Sequence, residues 1–273
     1  MPTYHEFPPP APLRLAVDAL WCVNPTTPGP AVSPLRVLPD GCVDLIFRFG
    51  GTTGEGQLSL VGPTDRAFLL DGAMPAPAVG VRFRPGMAAG RLGVRPPDLY
   101  RREVAVDRAL PQLGAWQERL RGSASPVEAL RVLRWAAASM PTRSAPGVSA
   151  RVGRAVELLG RGWRVASTAA VLGVSERTLR RDLVETVGLP PKVLARVLRF
   201  QGAVRLLDAR ADADLASLAL DAGYFDHAHM NRDFREFAGL SPTAFGHERR
   251  AAADSSKRRA GEDGTLKSWI WDT

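Results

Sequence analysis

Cysteine and histidine are scarce in this 273-residue chain. Two cysteines, Cys22 and Cys42, are too few for a disulfide scaffold or a four-thiolate zinc site. The four histidines are His5, His227, His229 and His247. None falls in the β-rich part of the sequence after residue 5, so a metal-binding cupin lacks its imidazole ligands. No apolar run approaches the roughly 18 residues of a membrane span, so no membrane partner is expected. The opening MPTYHEFPPPAP lacks a basic n-region and an apolar h-region, so a secretory signal is not expected and the default compartment is the cytoplasm. No Walker motif, G-x-S-x-G or paired-carboxylate pattern occurs. The sequence therefore presents no catalytic constellation, and neither an enzyme nor a cofactor or metal is expected.

Lysine is nearly absent as well. Lys192, Lys257 and Lys267 are its only occurrences, so arginine supplies almost all of the 36 basic residues that give a net charge of +8. Such a balance favours polyanionic partners such as nucleic acid. Sixteen basic and twelve acidic residues precede Ser149, and twenty and sixteen follow it. With charge spread so evenly, the placement of individual arginines has to identify the partner.

The length suits two domains. Residues 1–35 read as a proline-rich lead-in with one strand around residues 15–23. The VLPDG at residues 37–41 is a turn signal, and residues 42–49 alternate. Val43, Leu45, Phe47 and Phe49 face one way, and Asp44 and Arg48 the other. Further strands are expected over 57–61, 67–70 and 79–83, between Gly/Pro turns. From about residue 86 the pattern turns helical, with amphipathic stretches around Leu110–Leu120 and over 127–140. PTRSAPG at 141–147 interrupts the chain. The expected fold is an α+β domain, β-rich then helical, over residues 1–140, a linker over 141–149, and an all-α domain over 150–248. Residues 249–273 are polar and read as a disordered tail.

The all-α part contains an internal repeat. One copy is AAVLGVSERTLRRDLVETVGLPP from Ala169, and the other is ALDAGYFDHAHMNRDFREFAGLSP from Ala219. Ala169 and Gly173 match Ala219 and Gly223 at an offset of 50. Leu179, Arg181, Leu183, Gly188, Leu189 and Pro191 match Met230, Arg232, Phe234, Gly239, Leu240 and Pro242 at an offset of 51. Each copy reads as helix–turn–helix: a short helix stopped by a glycine, a turn, then Ser175 or Asp226 as the N-cap of a second helix. At about 100° per residue, Leu179 and Leu183 form the buried stripe of the first copy, with Arg177 and Arg181 opposite and Arg180 to the side. In the second copy Met230, Phe234 and Phe237 form the stripe. Ala228 and Arg232 lie opposite, flanked by Asn231 and Arg235.

Such a helix suits the major groove. An outward arginine can pair with guanine O6 and N7, asparagine suits adenine, and the Ala228 methyl suits that of thymine. Each arginine taken singly reads as an ordinary solvated helix position. The repetition of the pattern favours DNA.

LGVSERTLRRDL…VGLPP and ALDAGYFDHAHMNRDFREFAGLSPTAF resemble the DNA-binding domain of the AraC-type (AraC/XylS) bacterial transcriptional regulators over residues 150–248. The resemblance implies two helix–turn–helix units joined by a linker helix, here residues 191–207, that place recognition helices in successive major-groove segments. It implies that Ser175, Glu176, Arg177, Arg180 and Arg181 face one segment, and His227, Ala228, Asn231 and Arg232 the next. Asp226-His227-Ala228-His229 departs from the small polar or Gln residues frequent there, which bears on second-site specificity. LPDGCVDLIFRFG and VGVRFRPG are similar to the sensor-like domains that precede this module in some AraC-type regulators.

Asp44, Arg48, Arg82 and Arg84 either line a polar effector pocket or are ordinary outward strand residues. Cys42, on the face of Asp44, is a structural buried thiol or a reactive one. His227 and His229 point about 200° apart on a helix and cannot share a ligand, so His227 reads as a DNA contact and His229 as packing. The function expected is that of a sequence-specific transcription regulator. Its candidate partners are operator or promoter DNA, RNA polymerase, a small-molecule effector and a second copy of the chain. The alternatives make residues 1–140 an enzyme or a pure dimerisation module tethered to DNA.

Overall fold

The computed structural model describes residues 3–24, 35–50, 55–70, 76–106, 110, 113–141, 146–210 and 214–259. Its first part is built on a six-stranded antiparallel sheet. The strands are β1 (Thr3–Phe7), β2 (Val17–Asn24), β4 (Val43–Arg48), β5 (Gln57–Val61), β7 (Ala78–Phe83) and β8 (Glu103–Ala105), in the order β1-β2-β7-β4-β5-β8. Side chains alternate between its faces. Leu20 and Cys22, Val43, Leu45 and Phe47, Leu58 and Leu60, and Val79, Val81 and Phe83 form one buried core. Helices α2 (Gly114–Arg121) and α3 (Pro126–Ser139) cover that face with Leu120, Leu130, Leu133 and Ala137. The opposite face carries Trp21, Val23, Ile46 and Ala78. Above it stands a separate ribbon of β3 (Leu35–Val37) and β6 (Phe68–Leu70).

The second part is helical. After α1 (Met87–Leu92), α2 and α3 come α4 (Pro146–Gly160), α5 (Val165–Val171), α6 (Glu176–Val187), α7 (Pro191–Ala209), α8 (Leu215–Asp221), α9 (His227–Ala238) and α10 (Pro242–Arg259). Two cores share the long helix α7. Its Leu194 packs with Val152, Ala155, Leu179, Leu183 and Val187. Its Val197, Phe200, Val204 and Leu207 pack with Leu218, Met230, Phe234 and Phe237. The expected fold class is thus found: a β-rich then helical first part, and a helical second part with two units on one connecting helix.

Several boundaries differ from the sequence reading. The lead-in contains an edge strand, β1, whose Tyr4, His5 and Glu6 give no apolar alternation, yet whose backbone pairs in register with β2. Strand β8 lies inside the stretch read as helical, and at three residues it is too short for periodicity to reveal. Helix α4 begins at Pro146, within the stretch expected as linker, because proline is well tolerated in a first helical turn. Helix α10 continues to Arg259, into the stretch read as a disordered tail. Residues 142–145 of the linker and 260–273 of the tail lie outside the described residues. Among the described residues no helix is long and apolar enough to cross a membrane.

The two parts are in contact. Gly188, at φ +84°, brings the end of α6 so close that an added Cβ would lie 2.8 Å from Pro63 Cγ and 3.1 Å from the Pro96 carbonyl carbon. Tyr100 packs on the first helical core and Leu38 on the second. Arg95 Nη2 donates to Glu185 Oε2 at 3.1 Å, and Gln201 Nε2 donates to the Pro39 carbonyl at 2.8 Å.

Candidate nucleic-acid interface and a neighbouring pocket

Both helix–turn–helix units use the same terminal chemistry. Helix α5 ends before Gly173 (φ +66°) and α8 before Gly223 (φ +81°), the left-handed conformation that glycine adopts without strain. Ser175 Oγ accepts from Thr178 N at 3.1 Å, and Asp226 Oδ1 accepts from His229 N at 2.6 Å. Each bond satisfies a backbone donor that a helix start leaves without a partner. Helices α6 and α9 then stop at Gly188 and Gly239, again with positive φ.

The outward faces match the angular reading. Leu179, Leu183 and Val187 are buried on α6, while Glu176, Arg177, Arg180 and Arg181 are exposed. On α9, Met230, Phe234 and Phe237 are buried, and His227, Ala228 and Arg232 are exposed. Arg181 keeps 70% of its side chain accessible, and among the described residues its guanidinium meets only Asp182 Oδ1, at 3.3 Å. Asn231 is half-buried, and its Oδ1 is enclosed without a hydrogen-bond partner among the described residues. It therefore stands apart from the open face of His227, Ala228 and Arg232. Ser175 is exposed, but its hydroxyl is occupied by the cap and by Thr178 Oγ1. The two histidines diverge: His227 faces out, whereas His229 Nε2 lies 3.3 Å from Arg199 Nη2 and its ring meets Tyr224 edge-on at 5.1 Å.

Sequence reasoning missed the groups that fix the pitch of these helices. Asp182 on α6 and Asp233 on α9 are almost fully buried and occupy equivalent places in the repeat. Arg151 Nε of α4 donates to Asp182 Oδ2 at 2.8 Å. Arg196 of α7 donates to Asp233 Oδ1 at 3.1 and 2.7 Å, and to both carboxylate oxygens of Glu236. Hydrogen bonds to Glu236 and Asp233 hold the Arg196 guanidinium well above its ordinary pKa. The signal was present: an aspartate within the apolar stripe of both copies, at the same offset of 51 as the other matches.

The outer sheet face and the β3–β6 ribbon enclose a cavity of about 470 Å³. Its floor is Trp21, Val23, Ile46, Val61 and Ala78, and its roof is Val37, Phe68 and Leu70. Gly80 leaves room for the Trp21 indole, since a Cβ there would lie 2.4 Å from the ring. The structure brings Asp44, Arg48 and Arg82 to this cavity. Asp44 accepts from Trp21 Nε1 at 2.7 Å and lies 3.4 Å from Arg82 Nε. Arg82 also reaches Glu6 at 2.9 Å and Asp40 at 3.3 Å, while Arg48 pairs with Glu103. Burial pushes the Asp44 carboxyl up to about 6, against the pull of Arg82 and the Trp21 hydrogen bond.

Arg84, expected beside them, is not part of this pocket. The chain leaves β7 after Phe83, and the register of β2 shifts between Val17 and Ala19. Arg84 Nε consequently donates to the carbonyls of Arg14 and Val17, and Nη2 stands 3.6 Å from Asp18 at the sheet end. Both cysteines are buried and free. Burial raises the Cys22 thiol to about 11 and Cys42 well above its ordinary value, which keeps both protonated and poorly nucleophilic at neutral pH.

Residues 168–248 match the family model of a helix-turn-helix domain, and residues 5–105 match a domain of unknown function (DUF6597). No curated protein matches the chain. Among solved structures it is similar to ToxT from Vibrio cholerae in a P21 crystal form at 1.65 Å, with 10% identity and a TM-score of 0.42 over 90% of this chain and 98% of that one. It is likewise similar to the unsaturated fatty acid bound wild-type ToxT, with 10% identity and a TM-score of 0.41 over 90% of this chain and 94% of that one. Both superpositions are loose, and the assignment stands on residues 168–248 and the paired units they form. By that match residues 168–248 are a helix-turn-helix domain, the module that the sequence reading expects of an AraC-type transcription regulator.

Proposed function

We propose that α6 and α9 read operator DNA in two successive major-groove segments. Glu176, Arg177, Arg180 and Arg181 would face the first, with Ser175 positioning the helix start. His227, Ala228 and Arg232 would face the second, with Asn231 at its edge. One observation carries this reading: two equally capped helices on one rigid connecting helix present arginine at the same outward position, Arg181 and Arg232. Phosphate contacts from other arginines and helix N-termini set register and salt dependence, and the outward side chains set sequence preference.

The test begins with selection of a cognate site from random DNA, followed by fluorescence anisotropy with each variant. Arg181→Ala or Arg232→Ala is expected to lose about 1–3 kcal/mol on the selected site if the arginine pairs with a base. Binding to random DNA should change far less. Equal losses on both DNAs would assign the arginine to phosphate instead.

In this reading the chain divides at residues 141–149, and residues 1–140 regulate a module working on cytoplasmic DNA. The cavity beneath the β3–β6 ribbon supports an effector site, because it is a mainly apolar space with a few convergent polar groups. RNA polymerase and a second copy of the chain are the protein partners that such a regulator would engage. Sedimentation of the full chain with and without the selected DNA measures the second of these.

A further inference from the structure

We infer that the cavity takes a small, mainly apolar molecule bearing one anionic group, and that its occupancy reaches the second recognition helix through the β3–β6 ribbon. The inference rests on the effector-site reading above and adds to it the ligand class and the route.

The ligand class follows from the walls. Floor and roof are apolar side chains, so most of a bound molecule would lie against Trp21, Ile46, Val61 and Phe68. The carboxylates of the cavity already have partners, Asp44 with Arg82 and Glu103 with Arg48. Two further arginines of the lining are differently placed. Arg66 reaches only Asp65, at 3.9 Å, and Arg102 has no ion-pair partner among the described residues. A surplus of guanidinium at an apolar cavity suits a single anionic group, which arginine binds through charge-assisted hydrogen bonds.

The route follows from strand alternation. In the ribbon Val37 is paired with Phe68 and Arg36 with Leu69. Successive side chains point to opposite faces, so Val37, Phe68 and Leu70 roof the cavity while Arg36 turns away from it. Arg36 holds the far end of α9. Its Nε and Nη2 donate to the two carboxylate oxygens of Glu248 at 2.9 and 3.0 Å, and its Nη1 donates to the Ala238 carbonyl at 2.6 Å. From the adjoining residue of β6, Ala67 N donates to the Phe237 carbonyl at 2.7 Å. Two of the carbonyls that the end of α9 leaves without helical partners are thus satisfied by the ribbon.

A two-stranded ribbon of three residue pairs has little stability of its own. Its position is set by what it packs on, the cavity contents on one side and α9 with α10 on the other. A molecule that fills the cavity changes the first of these surfaces, and Arg36 and Ala67 carry the change to the second. Effector affinity and DNA affinity are then reciprocally linked.

The test uses the full chain with 1-anilinonaphthalene-8-sulfonate and its uncharged counterpart N-phenyl-1-naphthylamine, with fluorescence titration and hydrogen exchange as readouts. The sulfonate should bind at one molecule per chain, about tenfold more tightly than the amine. Ala78→Phe from the floor, or Val37→Trp from the roof, should abolish this binding. Saturation should alter amide exchange both in residues 35–38 and 67–70 and in residues 237–248. In Arg36→Ala the change at 237–248 should vanish while dye affinity stays within about twofold. Dye binding indifferent to both filling variants would overturn the effector site itself. Dye that binds in the cavity without altering 237–248 in the unmodified chain would leave that site standing and overturn the route. Equal affinity for the two dyes would overturn the anionic group.

Discussion

Asp182 and Asp233 place a carboxylate inside an apolar stripe, which is costly unless every charge is matched. Each is matched by an arginine from a different helix, Arg151 or Arg196, so the pairs fix how α6 and α9 are presented. Asp233→Asn removes the charge that Arg196 and Arg199 share. It is expected to lower unfolding stability by about 2–4 kcal/mol in urea titration and to weaken binding at the second half of the selected site. A stable variant with unchanged DNA affinity would show that the pair positions nothing. Asp44 illustrates the opposite balance, with burial raising its pKa from 3.8 to about 6. The folded state therefore holds this proton more firmly than the unfolded chain. The resulting contribution is full below about pH 4 and is lost as pH rises through about 6. Asp44→Asn lacks that dependence. Between pH 4 and pH 7 its stability relative to the unmodified chain should rise by on the order of 1–3 kcal/mol, measured as paired urea midpoints at the two pH values. A difference independent of pH would place the carboxyl in water.

Helix ends were the most legible elements, because capping depends on local chemistry. Ser175, Asp226 and the glycines at 173, 188, 223 and 239 mark boundaries that need no knowledge of distant residues. Ser175→Ala and Asp226→Ala should each cost about 1 kcal/mol, seen as a lower Tm. Ser175→Asp should restore the first helix start, whereas a Tm unchanged by either alanine would mean that the caps are not holding the helices. The strands were legible where burial on one face imposed alternation, as along β4 and β5. Strands β1, β3 and β8 were not read, since an edge strand is held by backbone pairing and shows little of it in side-chain pattern. The site divides in the same way. The outward arginines followed from helical angle alone, whereas Trp21 meets Asp44 across the intervening strand β7, which depends on strand order and register and not on alternation. The ribbon could not be read in advance, because its role depends on where Arg36 and Glu248, far apart in sequence, meet.

At the scale of the whole molecule, the joints between the sheet and the helices determine how the chain unfolds. Tyr100 enters the first helical core, Leu38 the second, and Arg36, Ala67, Gln201 and the Arg95–Glu185 pair add polar contacts. Gly188 lies so close to Pro63 and Pro96 that α6 cannot shift without disturbing both parts. Neither helical core is complete without a side chain from the sheet-bearing part, so loss of one part exposes apolar surface on the other. The chain should therefore unfold in urea as one cooperative transition. With Trp163, Trp269 and Trp271 replaced by Phe, tryptophan fluorescence reports Trp21, Trp116 and Trp135 of the first part, and it should then coincide with far-UV circular dichroism, dominated by the helices. Combining Arg36→Ala with Tyr100→Ala removes one polar and one apolar joint without touching the outward faces of α6 and α9. The two midpoints are expected to separate in that variant, while binding to the selected DNA persists at low urea. Separate midpoints already without these two alanines would mean that the joints carry too little energy to couple the parts. The ribbon, whose Arg36 and Ala67 are among these joints, would then be too weakly held to carry a signal to the second recognition helix.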